Sequence, residues 1–277
     1  MIKNFEELKD QLRSCDVPRR IAAVCANDEA TRIALKQAQE LGIAQPVYFD
    51  HDIPAEAAAQ AVAAVRRGEA DVLMKGLIGT DQLLRAILNK DTGLLPPGNV
   101  LTHMAVAEIP NYPKMLFFTD AAVIPYPTHE QRIQQVRYAA DICRNMGIEE
   151  PRIALIHCAE HGGKQFPFVD GYADIRQMAE AGDFGSCLVD GPMDIKCACS
   201  LHALESKGMQ SPLNGEADVV VLPDIEAGNV FYKSLTFFCQ SRTAGILCGT
   251  QCPVIVPSRG DSPETKLNSI LFAIASL

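Results

Sequence analysis

Lys75, the pair Ser258-Arg259, and Glu226 with Asn229 are the side chains of this sequence best placed to do chemistry on an anion. Each follows a short apolar run: ADVLMKG (70–76), CPVIVPSRG (252–260) and ADVVVLPDIEAGN (217–229). Val219, Val220 and Val221 follow one another without polar alternation, as in a strand buried on both faces. Residues just past such a strand lie at its carboxyl end, where open α/β sheets place their ligands. Lys75 would offer a point charge to a phosphate, and Gly76 would let a ligand come close to the backbone. The turn Ser258-Arg259-Gly260-Asp261 precedes a closing helix, so backbone N–H groups and the Arg259 fork could together hold an anion. Thr80 opens a helix over 80–90 with Arg85 in its second turn, a further guanidinium within reach of such a site. Every one of these residues also has a local reading: a solvated strand end for Lys75, a helix cap for Ser258 or Ser262, an exposed helix face for Arg85.

The elements that must position them alternate along the chain. IAAVCAN (21–27) reads as strand, 28–42 as helix, PVYFD (46–50) as strand, 54–68 as helix and 70–76 as strand, which is the βαβα signature of a parallel sheet. VLTHMAVAEIP (100–110) and KMLFFTDAAVI (114–124) are strands separated by only Asn111, Tyr112 and Pro113. So short a connection requires an antiparallel pair. A long helix over 128–147 ends at Gly147. A second alternating series then follows: strand 152–158, helix 170–182, strand 186–192, helix 193–208, strand 217–222, a turn over 224–229, strands 244–249 and 252–257, and the closing helix 262–277. A boundary near Pro127 divides the chain into residues 1–127 with 250–277 and residues 128–249.

With 277 residues and 48% hydrophobic content, the chain can fill one large or two ordinary cores. Its 25 basic and 34 acidic side chains give a net charge of −9, which argues against nucleic acid or an anionic membrane as the main partner. Ten cysteines, mostly inside apolar runs, read as reduced thiols of a cytoplasmic protein. The start MIKNFEELKDQLRS is amphipathic, with Asn4 and Glu7 spaced as a capping box, and it lacks the apolar core of a signal peptide.

His157-Cys158-Ala159-Glu160-His161 matches the H-x-x-E-H pattern of a zinc peptidase class. That chemistry needs both histidines on one helix face, whereas residues 152–158 read as strand and Gly162-Gly163 follows, so no metal is expected here. Cys197 and Cys199 are two apart on a helical stretch and do not share a face. There is no phosphate-binding loop of the G-x-x-x-x-G-K type and no G-x-G-x-x-G.

Taken together, the segments LMKG (73–76), T-x-x-L-L-R-A-I-L (80–88), DTGLLPPGNVLTHMAVAE (91–108), TDAAVIPYPT (119–128), DGPMD (190–194), EADVVVLPDIEAGNVFYKSL (216–235) and SRGDSPETKLNSI (258–270) resemble the phosphate acyltransferase family, and its phosphate butyryltransferase branch in particular. The resemblance implies two α/β/α domains with mostly parallel sheets, of the isocitrate/isopropylmalate dehydrogenase-like type, with an active cleft between them. It implies a homodimer that transfers a short acyl group, butyryl first, between coenzyme A and inorganic phosphate, with no bound cofactor. By resemblance Ser258 and Arg259 hold the phosphate or carbonyl, Arg85 adds a cationic contact, and Lys75, Gly76, Thr80, Glu226, Asn229 and Gly260 bind substrate. The acetyl-specific branch carries its presumed aspartate base seven residues after this serine, which here is Thr265, leaving Asp261 as the nearest replacement. The sequence departs from the family at AEHGGKQF (159–166) and IKCACS (195–200). Two other classes share these features: a coenzyme A-binding relative without turnover, and a metal- and nicotinamide-dependent decarboxylating dehydrogenase of the same fold.

Overall fold

The computed structural model describes residues 2–14 and 17–277. Cys15, one of the expected reduced thiols, lies outside them; the nine described cysteines form no disulfide. Chain contacts divide the protein into two compact units, Lys3–Leu101 with Arg242–Leu277, and Thr102–Ser241 with Ile2.

The first unit contains α1 (Phe5–Arg13), β1 (Arg19–Val24), α2 (Glu29–Glu40), β2 (Ala44–Phe49), α3 (Pro54–Arg66), β3 (Val72–Lys75) and α4 (Thr80–Ile87), and from the far end of the chain it takes β9 (Arg242–Cys248), β10 (Val254–Ile255) and α10 (Pro263–Ala275). Its strands lie in the order β2-β1-β3-β10-β9, all parallel except β9 against β10. The elements begin where local chemistry puts them. Asn4 caps α1 by accepting from the Glu7 backbone N–H at 2.8 Å, but the Glu7 carboxylate takes the backbone N–H of Lys3 at 2.9 Å, one residue before the cap, so the capping box expected from Asn4 and Glu7 is only half formed. Asp28 caps α2 by accepting from Thr31 N–H at 2.9 Å. In β3 the apolar Val72, Leu73 and Met74 are buried, as the unbroken run requires, and so is the fourth residue, Lys75.

The second unit contains β4 (Thr102–Glu108), β5 (Leu116–Thr119), α5 (His129–Asn145), β6 (Arg152–Ile156), α6 (Asp170–Glu180), β7 (Leu188–Met193), α7 (Ile195–Cys199), α8 (Leu201–Ser206), β8 (Val219–Val221) and α9 (Ile225–Phe237). Strand order is β4-β5-β8-β6-β7, and β4 and β5 pair antiparallel, as their short connection dictates. Thr128 and Gln131 form the capping box of α5, and Gly147, at φ 82°, follows its end in the left-handed region that glycine tolerates best.

Two expectations are corrected. The helix expected over 193–208 is two helices, because Ser200 is extended (φ −151°, ψ 116°) and its hydroxyl caps α8 at Ala203 N–H. The turn expected over 224–229 is the first turn of α9, since Asp224 accepts from Ala227 N–H at 2.8 Å and starts the helix there. Among the described residues, no helix is long and apolar enough to cross a membrane.

Candidate functional site

In the first unit, β1, β3 and β10 run parallel in a register that pairs Val24 with Lys75, Leu73 with Val254 and Met74 with Ile255. Cys25, Gly76 and the Pro257-Ser258 turn therefore leave the sheet at the same edge, its carboxyl edge. The edge is tightly drawn: Gly76 N–H donates to the Val24 carbonyl and Leu77 N–H to the Cys25 carbonyl, both at 2.8 Å. A Cβ on Gly76 would sit 2.2 Å from the Cys25 carbonyl oxygen. The close approach that demands glycine here is that of the chain's own backbone, with the ligand explanation unnecessary. Cys25 itself adopts φ 50°, a conformation uncommon for a non-glycine residue and concentrated at functional edges.

Lys75 is 5% exposed and donates to the Gly76 carbonyl at 3.1 Å, with no carboxylate partner among the described residues. Burial pushes its amine below the ordinary lysine range, and the positive charges of Arg259 and Lys266 push further the same way, while Asp28 pulls weakly back. Arg259 is thus electrostatically coupled to Lys75. Ser258, Arg259 and Gly260 are exposed, and the Arg259 guanidinium has no ion-pair partner among the described residues. The turn is held by Asp261, which accepts from Ser258 N–H at 2.7 Å and returns its own N–H to the Ser258 carbonyl at 3.1 Å. Ser262, and not Ser258, caps the closing helix. Thr265 is spent on that cap, its N–H 3.2 Å and its hydroxyl 3.1 Å from the Ser262 hydroxyl.

Lys266 and Asp28 were not singled out in the sequence. Lys266, on the buried face of α10, donates to Asp28 at 2.7 Å and to the Thr31 hydroxyl at 2.9 Å, beneath the lysine edge. The available signal was a lysine four residues before Ile270 on an otherwise apolar helix face, where a charge must find a partner. Burial alone would raise the Asp28 pKa, but the Lys266 ammonium and the Thr31 hydrogen bonds override it and hold it at about 2. The folded-state value lies below that of the unfolded chain, so the stabilisation is complete above the unfolded value and is lost as pH falls toward 2. We expect acid to remove on the order of 2 kcal/mol through this one group. Urea unfolding between pH 5 and pH 2.5 would show a shallower decline for Asp28→Asn than for the wild-type chain.

Thr80 and Arg85 stand apart from this cluster. Thr80 is the first residue of α4, after Gly79 as the cap, so its hydroxyl does not start the helix. Arg85 is exposed, pairs with Asp81 at 3.6 Å, and lines a groove of about 660 Å³ between α3 and α4 with Arg66 and Arg67. It is not among the charges acting on Lys75.

In the second unit, Glu226 accepts from the exposed Tyr126 hydroxyl at 2.7 Å, and the Asn229 side chain donates to the Ala121 carbonyl at 3.3 Å. Gly228 explains the glycine of the PDIEAGN stretch: a Cβ there would lie 2.0 Å from the Asp120 carbonyl oxygen, so only glycine lets α9 seat. Asp120, 1% exposed, accepts from the Thr102 hydroxyl and from the backbone N–H groups of His103, Ala122, Val123 and Ile124 at 2.7 to 3.2 Å. It is the structural anchor of that turn. The H-x-x-E-H segment is not helical; His157 is buried against Phe166, and Glu160 is paired with Lys207. Among the described residues no three His, Cys, Asp or Glu side chains gather as a metal site.

Residues 30–274 match the family described as Phosphate acetyl/butaryl transferase. The chain belongs to this family. It is 37% identical to the phosphate butyryltransferase of Clostridium beijerinckii over 99% of this chain and 97% of that one. It is 33% identical to the phosphate acetyltransferase of Thermotoga maritima over 92% and 94%. The crystal structure of a branched-chain phosphotransacylase from Enterococcus faecalis superposes with a TM-score of 0.82 at 28% identity, covering 93% of this chain and 98% of that one. The order of motifs from Lys75 to the Ser258-Arg259 turn is therefore the order of a family, and the mixed α/β architecture with mostly parallel strands is the one its solved relative has.

Proposed function

We propose that this protein moves a short acyl group, butyryl first, between coenzyme A and inorganic phosphate, by direct attack of the thiol on the acyl phosphate in a ternary complex. The observation that carries the reading is the carboxyl edge of the first unit, where the exposed Arg259 fork, without an ion-pair partner among the described residues, acts electrostatically on the buried Lys75. Acyl phosphate brings a dianion and develops a further negative charge on its carbonyl oxygen during attack. Fixed positive groups at that spot lower the barrier without reorganising. Ser258 and Arg259 hold the phosphate or the carbonyl oxygen. Arg85, outside that cluster on α4, adds a second cationic contact to the bound substrates, and Gly76, Thr80 and Gly260 bind substrate; Glu226 and Asn229 of the second unit are assigned to substrate by the family resemblance. Asp261 serves the site by closing the serine-arginine turn. Near-full-length identity to a phosphate butyryltransferase supports the acyl preference. The same reading makes the protein a cytoplasmic homodimer of the isocitrate/isopropylmalate dehydrogenase-like fold, working without a bound cofactor.

The test is purified protein with phosphate and two- to five-carbon acyl-CoA esters, following free thiol. Phosphate-dependent release that is fastest with butyryl-CoA is the expected result. Absence of release with all of them would sink the enzyme reading, and coenzyme A binding by calorimetry without release would leave a binding relative in its place.

A further inference from the structure

Thiol attack on an acyl phosphate releases one proton that has to go somewhere, and the residue expected to take it is not available in this chain. The position seven after Ser258 is Thr265, whose hydroxyl and N–H are both engaged with Ser262. Asp261 accepts the Ser258 N–H in an exposed turn. An ordinary carboxylate is in any case a base roughly four pK units too weak for a thiol.

Lys75 is differently situated. Its side chain is buried at the end of β3, its only hydrogen bond among the described residues is to the carbonyl of the next residue, and the anion-holding turn of Ser258 and Arg259 leaves the neighbouring strand β10 at the same edge. The titratable groups around it favour an uncharged amine. Arg259 after β10 and Lys266 on α10 are both positive. The one acidic neighbour that acts on it, Asp28 at the start of α2, is already paired with Lys266. Cys25 at the end of β1 is held as a neutral thiol, chiefly by burial and secondarily by Asp50. Buried, without a carboxylate partner of its own among the described residues and beside Arg259, the Lys75 amine gives up its proton more readily than an exposed lysine.

We propose that Lys75 is the proton-transfer group of the acyl transfer, an inference that rests on the reading given under Proposed function. As the neutral amine it removes the proton of the coenzyme A thiol, so the S–H bond breaks and an N–H bond forms. The thiolate then makes the C–S bond, the acyl C–O bond to phosphate breaks, and the Lys75 ammonium returns its proton to the departing phosphate oxygen. Charge and atoms balance: acyl phosphate dianion and thiol become thioester and hydrogen phosphate. In the reverse direction the same amine carries the proton from hydrogen phosphate to the leaving thiolate.

Two measurements test this. The first uses the unaltered protein: trace labelling with acetic anhydride across pH 6 to 11, with mass spectrometry of the Lys75 peptide, reads the fraction of free amine. Lys75 is expected to become reactive at clearly lower pH than the exposed lysines, and to match the acid limb of kcat/KM. The second uses variants. Lys75→Arg keeps a charge but cannot give up its proton, and it should lose about a hundredfold or more in kcat with KM for coenzyme A within a few-fold. Lys75→Ala should be rescued by small primary amines, more strongly by more basic ones. A Lys75 that stays charged as long as the exposed lysines, or a Lys75→Arg protein with wild-type turnover, overturns the role while leaving acyl transfer standing. A wild-type protein without phosphate-dependent release overturns acyl transfer itself, and the role with it.

Discussion

Arg259→Ala is expected to lower the turnover number of phosphate-dependent thioester cleavage by about ten- to a thousandfold, which corresponds to about 1–4 kcal/mol of lost transition-state stabilisation. The guanidinium is exposed and pairs with no described carboxylate, so the fold does not depend on it. Its removal should therefore leave the urea midpoint within the range of a neutral surface change. Arg259→Lys keeps a charge but loses the planar fork, and it should fall between the two. The pH profile gives an independent reading of the same substitution. Arg259 pushes the Lys75 amine toward its neutral form, so its loss should move the acid limb of kcat/KM to higher pH. Unchanged turnover in Arg259→Ala would place the anion site elsewhere on the molecule.

Asp120→Ala is expected to cost about 3–4 kcal/mol of stability by urea unfolding. The carboxylate is buried and receives five donors, four of them backbone N–H groups that fix the chain from Ala122 to Ile124 and the start of β4. Alanine leaves those donors without an acceptor in a place water does not reach, which costs more than the missing bonds contribute. Asp120→Asn keeps the shape and one acceptor oxygen, and it should lose less. A loss under about 1 kcal/mol in Asp120→Ala would show that the turn relaxes to find other acceptors.

Much of this was legible because it depends on neighbours in sequence. Apolar periodicity, caps such as Asn4 and Ser262, and the three-residue link between β4 and β5 are short-range facts, and the structure carries them out. The errors came where one local signal overrode another. Asp224-Ile225-Glu226-Ala227-Gly228-Asn229 has turn composition, but an aspartate that caps is also how a helix begins, and the apolar residues after it supplied the helix. Ser200 looked like one more residue of a long helix and instead broke it. Gly76 and Gly228 were visible as glycines, yet what they make room for, the Cys25 and Asp120 carbonyls, is contributed by segments far away in the chain.

The sequence by itself determined the alternation of strands and helices, the antiparallel pair, the family, and the presence of Lys75, Ser258 and Arg259 at strand ends. Only the tertiary structure decided what each of those side chains is. It seats β10 beside β3, bringing Arg259 to Lys75, and it brings Lys266 across 238 residues to Asp28. Among the described residues it gives the lysine no carboxylate of its own. Whether an amine carries a proton is set by burial and by the charges around it, and those are properties of packing that no stretch of sequence contains.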